Sequence, residues 1–174
     1  MKTIWLLTGS TENWRLSIKK KVWAFPYTPP NKTLWGKINP GDIGIFHATR
    51  KSAYWHDLQP SILGYGVINK KDEKETLWWD DEIKNRKNKW PLVIYFESIF
   101  LSQGISRNYF EESVEPGDKS TNKLSGKGIK LSDFKKRAQN FNPEIKRFMD
   151  QKSLQELDPR YEVILNRFEF SEHQ

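Results

Sequence analysis

The chain has 174 residues, a net charge of +7, 36% hydrophobic against 29% charged residues, and no cysteine. That length allows one domain with a sizeable core, and the missing cysteine excludes disulfide frameworks, thiolate zinc sites and thiol nucleophiles. Eight tryptophans, six tyrosines and ten phenylalanines exclude a disordered chain and exceed what a core of this size needs. A lysine excess alone describes a solvated surface, but joined to surplus aromatic rings it favours nucleic acid, because cations follow phosphates and π-faces stack bases.

Residues 3–8 form a short continuous apolar run that stops at Gly9-Ser10-Thr11, the pattern of a buried strand followed by a turn. The run is too short for a signal peptide or a membrane span, so a cytoplasmic chain with no membrane contact is expected. Ser10 or Thr11 can cap a helix over residues 13–21, with Glu12 in its first turn and Lys19, Lys20 and Lys21 at its end, where the helix dipole favours each charge. Val22-Trp23 follows at once, and Pro26 pushes Phe25 to extended geometry. Trp23 therefore stands where a helix has ended and the chain has turned, either as a lid on the core or as the wall of a slot.

Pro26, Pro29 and Pro30 predict a rigid irregular loop over residues 25–31. Residues 34–38 read as a helical turn or an extended segment, and Asn39-Pro40-Gly41-Asp42 as a tight turn. Strands are expected over residues 43–49, 61–69 and 90–100, with Gly64 and Gly66 marking a bend or the close approach of another backbone. A polar loop over residues 50–60 carries Arg50, Lys51, Tyr54, Trp55 and His56. Trp78-Trp79 precedes the polar stretch 80–89, in which Asp80-Asp81-Glu82 reads as a helix start. Residues 117–128 read as an exposed loop, residues 131–139 and 143–157 as helices, and residues 161–170 as a last strand. The expectation is an α+β fold built on a small curved mixed barrel, a single domain over residues 1–174 with a helical insertion at about 105–158.

The order and spacing of several marks resemble the PUA-like superfamily, and within it the EVE and YTH branches. EVE-like are Trp5-Leu6-Leu7, the Asn39-Pro40-Gly41-Asp42 turn before a strand ending in Phe46, the Gly64–Val67 strand, and Trp90-Pro91-Leu92 leading to Ile99-Phe100. YTH-like are Glu12-Asn13 in the first helix and Val22-Trp23 followed by an aromatic residue and Pro26. The resemblance covers about the first hundred residues. It implies an aromatic cage for the methyl group of N6-methyladenine, with Trp23 as one wall, Asn13 reading the base edge, the Ala24 carbonyl accepting from the base amine, and Trp78 or Trp79 as the opposite wall. Ser10 and Thr11 fall in the same base-binding set, and Lys19, Lys20, Lys21, Arg50, Lys51, Arg86 and Lys87, with Lys84 and Lys89 beside them, are the candidate phosphate contacts.

The resemblance extends to the specificity modules of McrB-type restriction proteins, which implies modified DNA as the partner and a downstream AAA+ GTPase motor and a nuclease subunit. The chain itself has no P-loop, since Gly126-Lys127 lacks both the upstream glycine and the hydroxyl residue. His47, His56 and His173 show no metal spacing, and His47 reads as structural. The expectation is a binding module without catalytic residues, metal or cofactor. Two alternatives remain open: an RNA-binding domain of the same fold, and a ribonuclease of the ASCH type using Lys20, Lys51 and Tyr65.

Overall fold

The computed structural model describes residues 2–49, 60–102 and 128–173. They form an α+β fold, an eight-stranded mixed sheet with five helices. The main path of the sheet runs β2 (Val22–Phe25), β5 (Leu92–Ser102), β4 (Ser61–Glu73), β3 (Ile43–Thr49), β1 (Ile4–Ser10), β7 (Leu154–Leu157). Two short strands pair off this path, β6 (Ile129–Lys130) with β4 and β8 (Phe170–His173) with β5. Among the described residues β2 and β7, the ends of the path, do not pair with each other, so the sheet is open.

The run Ile4-Trp5-Leu6-Leu7 that opens β1 is apolar without interruption because both its faces are covered. Trp5 and Leu7 enter one core cluster with Trp14, Trp23, Phe46 and Phe96, while Ile4 and Leu6 enter another with Ile45, Phe134, Phe148 and Tyr161. β1 lies parallel to β3, Leu7 opposite Phe46 and Thr8 opposite His47. A parallel pair needs a crossover, here supplied by α1 (Thr11–Lys20), β2 and α2 (Pro29–Gly36). Asp42 locks the start of this pair from the tight turn, accepting hydrogen bonds from the Trp5 indole at 3.0 Å and from the Thr3 and Asn39 amides at 2.9 Å each. The β4–β5 pairing depends on Gly64, where any Cβ would lie 1.9 Å from the Phe100 carbonyl oxygen.

Several expectations change. The proline-rich loop contains α2, because Pro29 and Pro30 occupy a first turn whose amides have no intrahelical partner anyway and Thr28 caps the Asn31 amide at 3.3 Å. Residues 143–157 are not a helix. They run through turns into β7, whose Gln155 side chain holds the Met149 backbone through both its amide and its carbonyl. The last strand is not at 161–170: α5 (Tyr161–Leu165) stands there and β8 starts at Phe170. The Asp158 carboxylate accepts from the Arg160 amide at 3.0 Å and starts that turn, and Tyr161, Ile164 and Leu165 then bury one helical face.

Of the segment expected as a helical insertion, the described part, residues 128–158, joins the sheet and the core. Residues 103–127 lie outside the described residues, but beyond them only α4 (Leu131–Phe141) is a long helix, and β6 and β7 both join the sheet. Leu131, Phe134 and Ala138 on α4 pack with α5 to form the second core cluster.

Candidate functional site

The carboxyl ends of β1 and β3 open into a cleft of about 910 Å³. The parallel pair makes this end distinctive. Both strands end on the same side, and β1 runs directly into the first turn of α1. Thr8, Gly9 and Ser10 line it from β1, His47 and Thr49 from β3, Glu12 and Asn13 from α1, Trp23, Ala24 and Pro26 from β2 and its exit. Trp79, Asp81 and Trp90 enter from the connection around α3 (Asp80–Asn85), and Leu131, Asp150, Gln151 and Ser153 from the second layer.

Four of the expected base contacts meet here: Asn13, Trp23, Ala24 and Trp79. Trp23 is 5% exposed, and one of its faces is already taken. It stacks on Trp14 with ring centroids 3.7 Å apart and planes within 5°, and Trp14 stacks in turn on Phe46 and donates to the His47 carbonyl at 2.9 Å. The far edge of the Trp23 ring presses on Gly9, where any Cβ would come within 2.3 Å. Trp23 is thus both core lid and cleft wall.

Trp79 meets it at 83° with centroids 6.3 Å apart, so the two rings make a corner and not the parallel sandwich that opposed walls would give. The Trp79 indole donates to the Asn13 carbonyl at 3.1 Å, tying the second wall to the proposed edge reader. Of the adjacent tryptophans only Trp79 is among the described lining. Trp78 lies outside it, against Tyr95 and beneath the Lys20 ammonium 4.8 Å above its ring.

Ser10 and Thr11 hold the architecture. The Ser10 hydroxyl accepts from the Asn13 amide at 3.3 Å as N-cap, and buried Thr11 donates to the Thr49 carbonyl at 3.3 Å. The Asn13 side-chain amide itself has no hydrogen-bond partner among the described residues.

Among the described residues, none of the expected phosphate contacts is in the cleft lining. Lys19, Lys20 and Lys21 stand at the opposite end of α1 from Asn13, with Lys21 closing that helix in the left-handed region. Arg86 closes α3 in the same way, and Lys84 and Lys87 sit beside it, exposed. Lys89 pairs with Asp81 at 2.5 Å. Arg50 and Lys51 lie outside the described residues, as do Tyr54, Trp55 and His56. The described lining includes Glu12, Asp81 and Asp150 and no lysine or arginine.

A buried ion pair that the sequence did not reveal sets the Trp78-Trp79 segment. Lys74 and Glu82 pair at 2.6 Å with side chains 3% and 0% exposed. The Lys74 ammonium also reaches the Thr76 carbonyl at 2.9 Å and the Asn88 amide oxygen at 2.7 Å. The Glu82 carboxylate accepts from the amides of Trp78, Trp79 and Trp90 at 3.0–3.3 Å. Burial pushes the Glu82 carboxyl up, but the Lys74 hydrogen bond and these three amides outweigh it and hold it below its ordinary value. The available signal was Glu82 three residues after Trp79, the position from which a glutamate reaches back to an N-cap amide.

His47 is 1% exposed, and its Nδ1 lies 3.1 Å from the Thr8 hydroxyl. Burial pulls its pKa down from 6.5 to about 4, with Asp150 opposing and Lys135 adding to the shift. The ring is neutral at pH 7. Among the buried side-chain atoms without a hydrogen-bond partner are its Nε2 and the Trp23 Nε1, both on residues of the cleft.

No group of three or more His, Asp or Glu able to hold a metal ion occurs among the described residues, and none of their helices is long and apolar enough to cross a membrane. The sequence matches no family model and no curated protein. Its structure is similar to that of a hypothetical protein from Leishmania major, 14% identical, over 96% of this chain and 94% of that one with a TM-score of 0.53. A crystal structure of a Pseudomonas putida protein, also 14% identical, aligns over 94% of this chain and 97% of that one with a TM-score of 0.49. At such identity the first likeness shows a shared fold and nothing about activity.

Proposed function

We propose that the chain is a non-catalytic DNA-binding module of PUA-like, EVE/YTH-like architecture that takes a modified base, N6-methyladenine foremost, flipped into the cleft at the ends of β1 and β3. In this reading it is the specificity domain of a modification-dependent restriction system and works with a GTPase motor and a nuclease subunit. The curved barrel of that superfamily is part of the proposal. The register shifts of β4 at Val67/Ile68 and Ile68/Lys70 support it, because bulges increase strand twist and curl a sheet.

The observation that carries the reading is convergence. Asn13, Trp23, Ala24 and Trp79 lie on α1, β2 and the approach to α3, and they line one cleft. Its 910 Å³ falls within the range of small-ligand sites. Flipping a base costs a few kcal/mol, and stacking on an aromatic ring returns about 1–3 kcal/mol. The Trp23–Trp79 corner gives the base one face to lie on and one edge to abut, and a methyl group fills the angle between them. The unpartnered Asn13 amide can donate and accept, which suits an adenine edge. The charge of +7 supplies attraction to a polyanion, and the lysines at the far ends of α1 and α3 are placed to meet backbone outside the cleft.

The test is a binding panel at one fixed salt concentration: duplexes carrying N6-methyladenine, 5-methylcytosine or no modification, and matched RNA. Preference for the N6-methyladenine duplex is expected, with Trp79→Ala reducing affinity about tenfold or more through the lost stack. Equal binding of all three duplexes refutes a modified-base reader, and tighter binding of the RNA moves the proposal to the RNA-binding alternative.

A further inference from the structure

The cleft is walled from both sides of the β1–β3 pair. Along β1 the residues alternate, with Trp5 and Leu7 in the tryptophan-rich cluster and Ile4 and Leu6 in the cluster under α4 and α5. Thr8 and His47 continue the second set, and the electrostatic influence of Asp150 and Lys135 on His47 agrees with that side. The strand ends therefore present Asn13, Trp23 and Trp79 from one face and Thr8, His47, Leu131 and Asp150 from the other.

On each side a deeply buried ring nitrogen has no partner: Trp23 Nε1 on the first, His47 Nε2 on the second. An unsatisfied buried polar group costs about 1–3 kcal/mol, and natural chains seldom keep one without a use. Two such groups on one cleft call for a ligand that satisfies both.

We infer that His47 is a ligand-contacting specificity residue, and that the ligand is an uncharged planar heterocycle that accepts a hydrogen bond from Trp23 Nε1 and exchanges one with His47 Nε2. This rests on the modified-base reading and narrows it. An indole N–H can only donate, so the part of the ligand it meets must be an acceptor. That disfavours a methylammonium group, the other occupant an aromatic corner beside carboxylates would attract, because such a cation has no acceptor. No cation is among the described lining residues, and the lysines nearest its carboxylates are engaged by them, Lys89 by Asp81 and Lys135 by Asp150, so the described lining has no group to hold a phosphate or carboxylate. A neutral nucleobase has ring and carbonyl acceptors and no charge. The Thr8 hydroxyl holds His47 by Nδ1 and leaves Nε2 for the ligand, an arrangement in which one nitrogen's partner fixes what the other can do.

Thr8→Val with His47→Leu is the deciding variant, because it removes both members of the Thr8–His47 hydrogen bond and the orphan nitrogen together. A polar pair replaced by apolar groups of similar shape is close to neutral for stability. The full chain and this double variant are titrated with an N6-methyladenine oligonucleotide, the unmodified oligonucleotide and tetramethylammonium, and their thermal midpoints are compared. The expected result is a midpoint unchanged or raised, with affinity for the methylated oligonucleotide lowered about tenfold and no binding of tetramethylammonium by either protein. Undiminished affinity for the methylated oligonucleotide in the double variant overturns the role of His47 and leaves the base-reading proposal standing. Absence of that preference in the unaltered chain overturns the base reading, and the role of His47 with it. Saturable binding of tetramethylammonium to the cleft overturns the requirement for an acceptor.

Discussion

The two faces of the sheet are both aromatic, but they use their rings differently. Under α4 and α5, Phe134 meets Tyr161, Phe168 and Phe148 at centroid distances of 5.6–6.5 Å, in stacked and tilted geometries. Among the described residues this side carries a recess of about 230 Å³ beside Phe148 and Tyr161. On the opposite face Trp14 and Trp23 stack nearly parallel at 3.7 Å, and Trp23, a residue of the cleft lining, keeps a buried, unpartnered indole N–H. Phenylalanine fills space and holds layers together. Tryptophan does the same and adds a donor, which is of use only where something can reach it. The Phe134 cluster is a core; the tryptophan cluster is a core that also lines the cleft.

The largest effect expected from this contrast is a paired truncation. Phe134→Ala and Trp14→Ala each remove a fully buried ring and should each cost about 3–5 kcal/mol in chemical denaturation. Their effects on binding should part. Folded Phe134→Ala keeps the preference for a methylated oligonucleotide, whereas Trp14→Ala withdraws the support behind Trp23 and loses most of it. Equal loss in both variants, measured at low temperature where each remains folded, would erase the distinction between the faces.

How much of this could be read from the residues divides along the same line. β1, β3, the Ser10 cap and the lysine end of α1 were legible because their signals are local: an apolar run, a hydroxyl before a helix, charges matched to a dipole. The meeting of Asn13 with Trp23 was legible only through family resemblance, since nothing local brings a helix residue and a strand residue to one hollow. The choice of Trp79 over Trp78 was not legible. It depends on Glu82 gathering three amides and on Lys74 holding Glu82, contacts that exist only after the chain has folded.

α5 was misread for a different reason. Tyr161-Glu162-Val163-Ile164-Leu165 is rich in strand-forming side chains, yet Asp158 and Pro159 start a turn, and the spacing of Tyr161, Ile164 and Leu165 suits the second core cluster only as a helix. Tertiary packing overrode local propensity there. His47 looked structural for an honest physical reason, being a lone histidine in a buried strand. The buried, unpartnered Nε2 is the feature on which the proposed ligand contact rests.

His47 is where the second face reaches the cleft, and acid measures what that costs. Its pKa is about 4 in the folded chain against 6.5 when exposed, so in that window the unfolded chain binds more protons. The stabilisation is complete above pH 6.5 and is lost as pH falls through 6.5 towards 4, amounting to about 3 kcal/mol over the window. The groups acting on the ring are Asp150, which opposes the shift, and Lys135, which adds to it. Glu82 and Asp158, whose carboxyls are held below 4.5 and 3.8, begin to contribute only at lower pH. Denaturation midpoints between pH 7 and 4.5 should fall in the unaltered chain and flatten in the Thr8→Val/His47→Leu variant. An unchanged slope in that variant would assign the acid sensitivity to other groups.

The smallest effect is the most selective, because it deletes nothing. A methyl group at Gly9 would fall 2.3 Å from the outer carbon of the Trp23 ring, and that ring cannot retreat because Trp14 backs its face and Trp79 stands across its edge. Gly9→Ala must therefore tilt Trp23 or move the end of β1, at a cost of about 1–3 kcal/mol for overpacking. The tilt opens the corner in which the methyl group of a base is proposed to lie. Gly9→Ala should consequently lower the ratio of methylated to unmodified binding while leaving general affinity for DNA near its original value, because the lysines at the ends of α1 and α3 are untouched. A proportional loss on both oligonucleotides would mean that Trp23 supports the fold and does not discriminate, and would make the tryptophan face a core like the other.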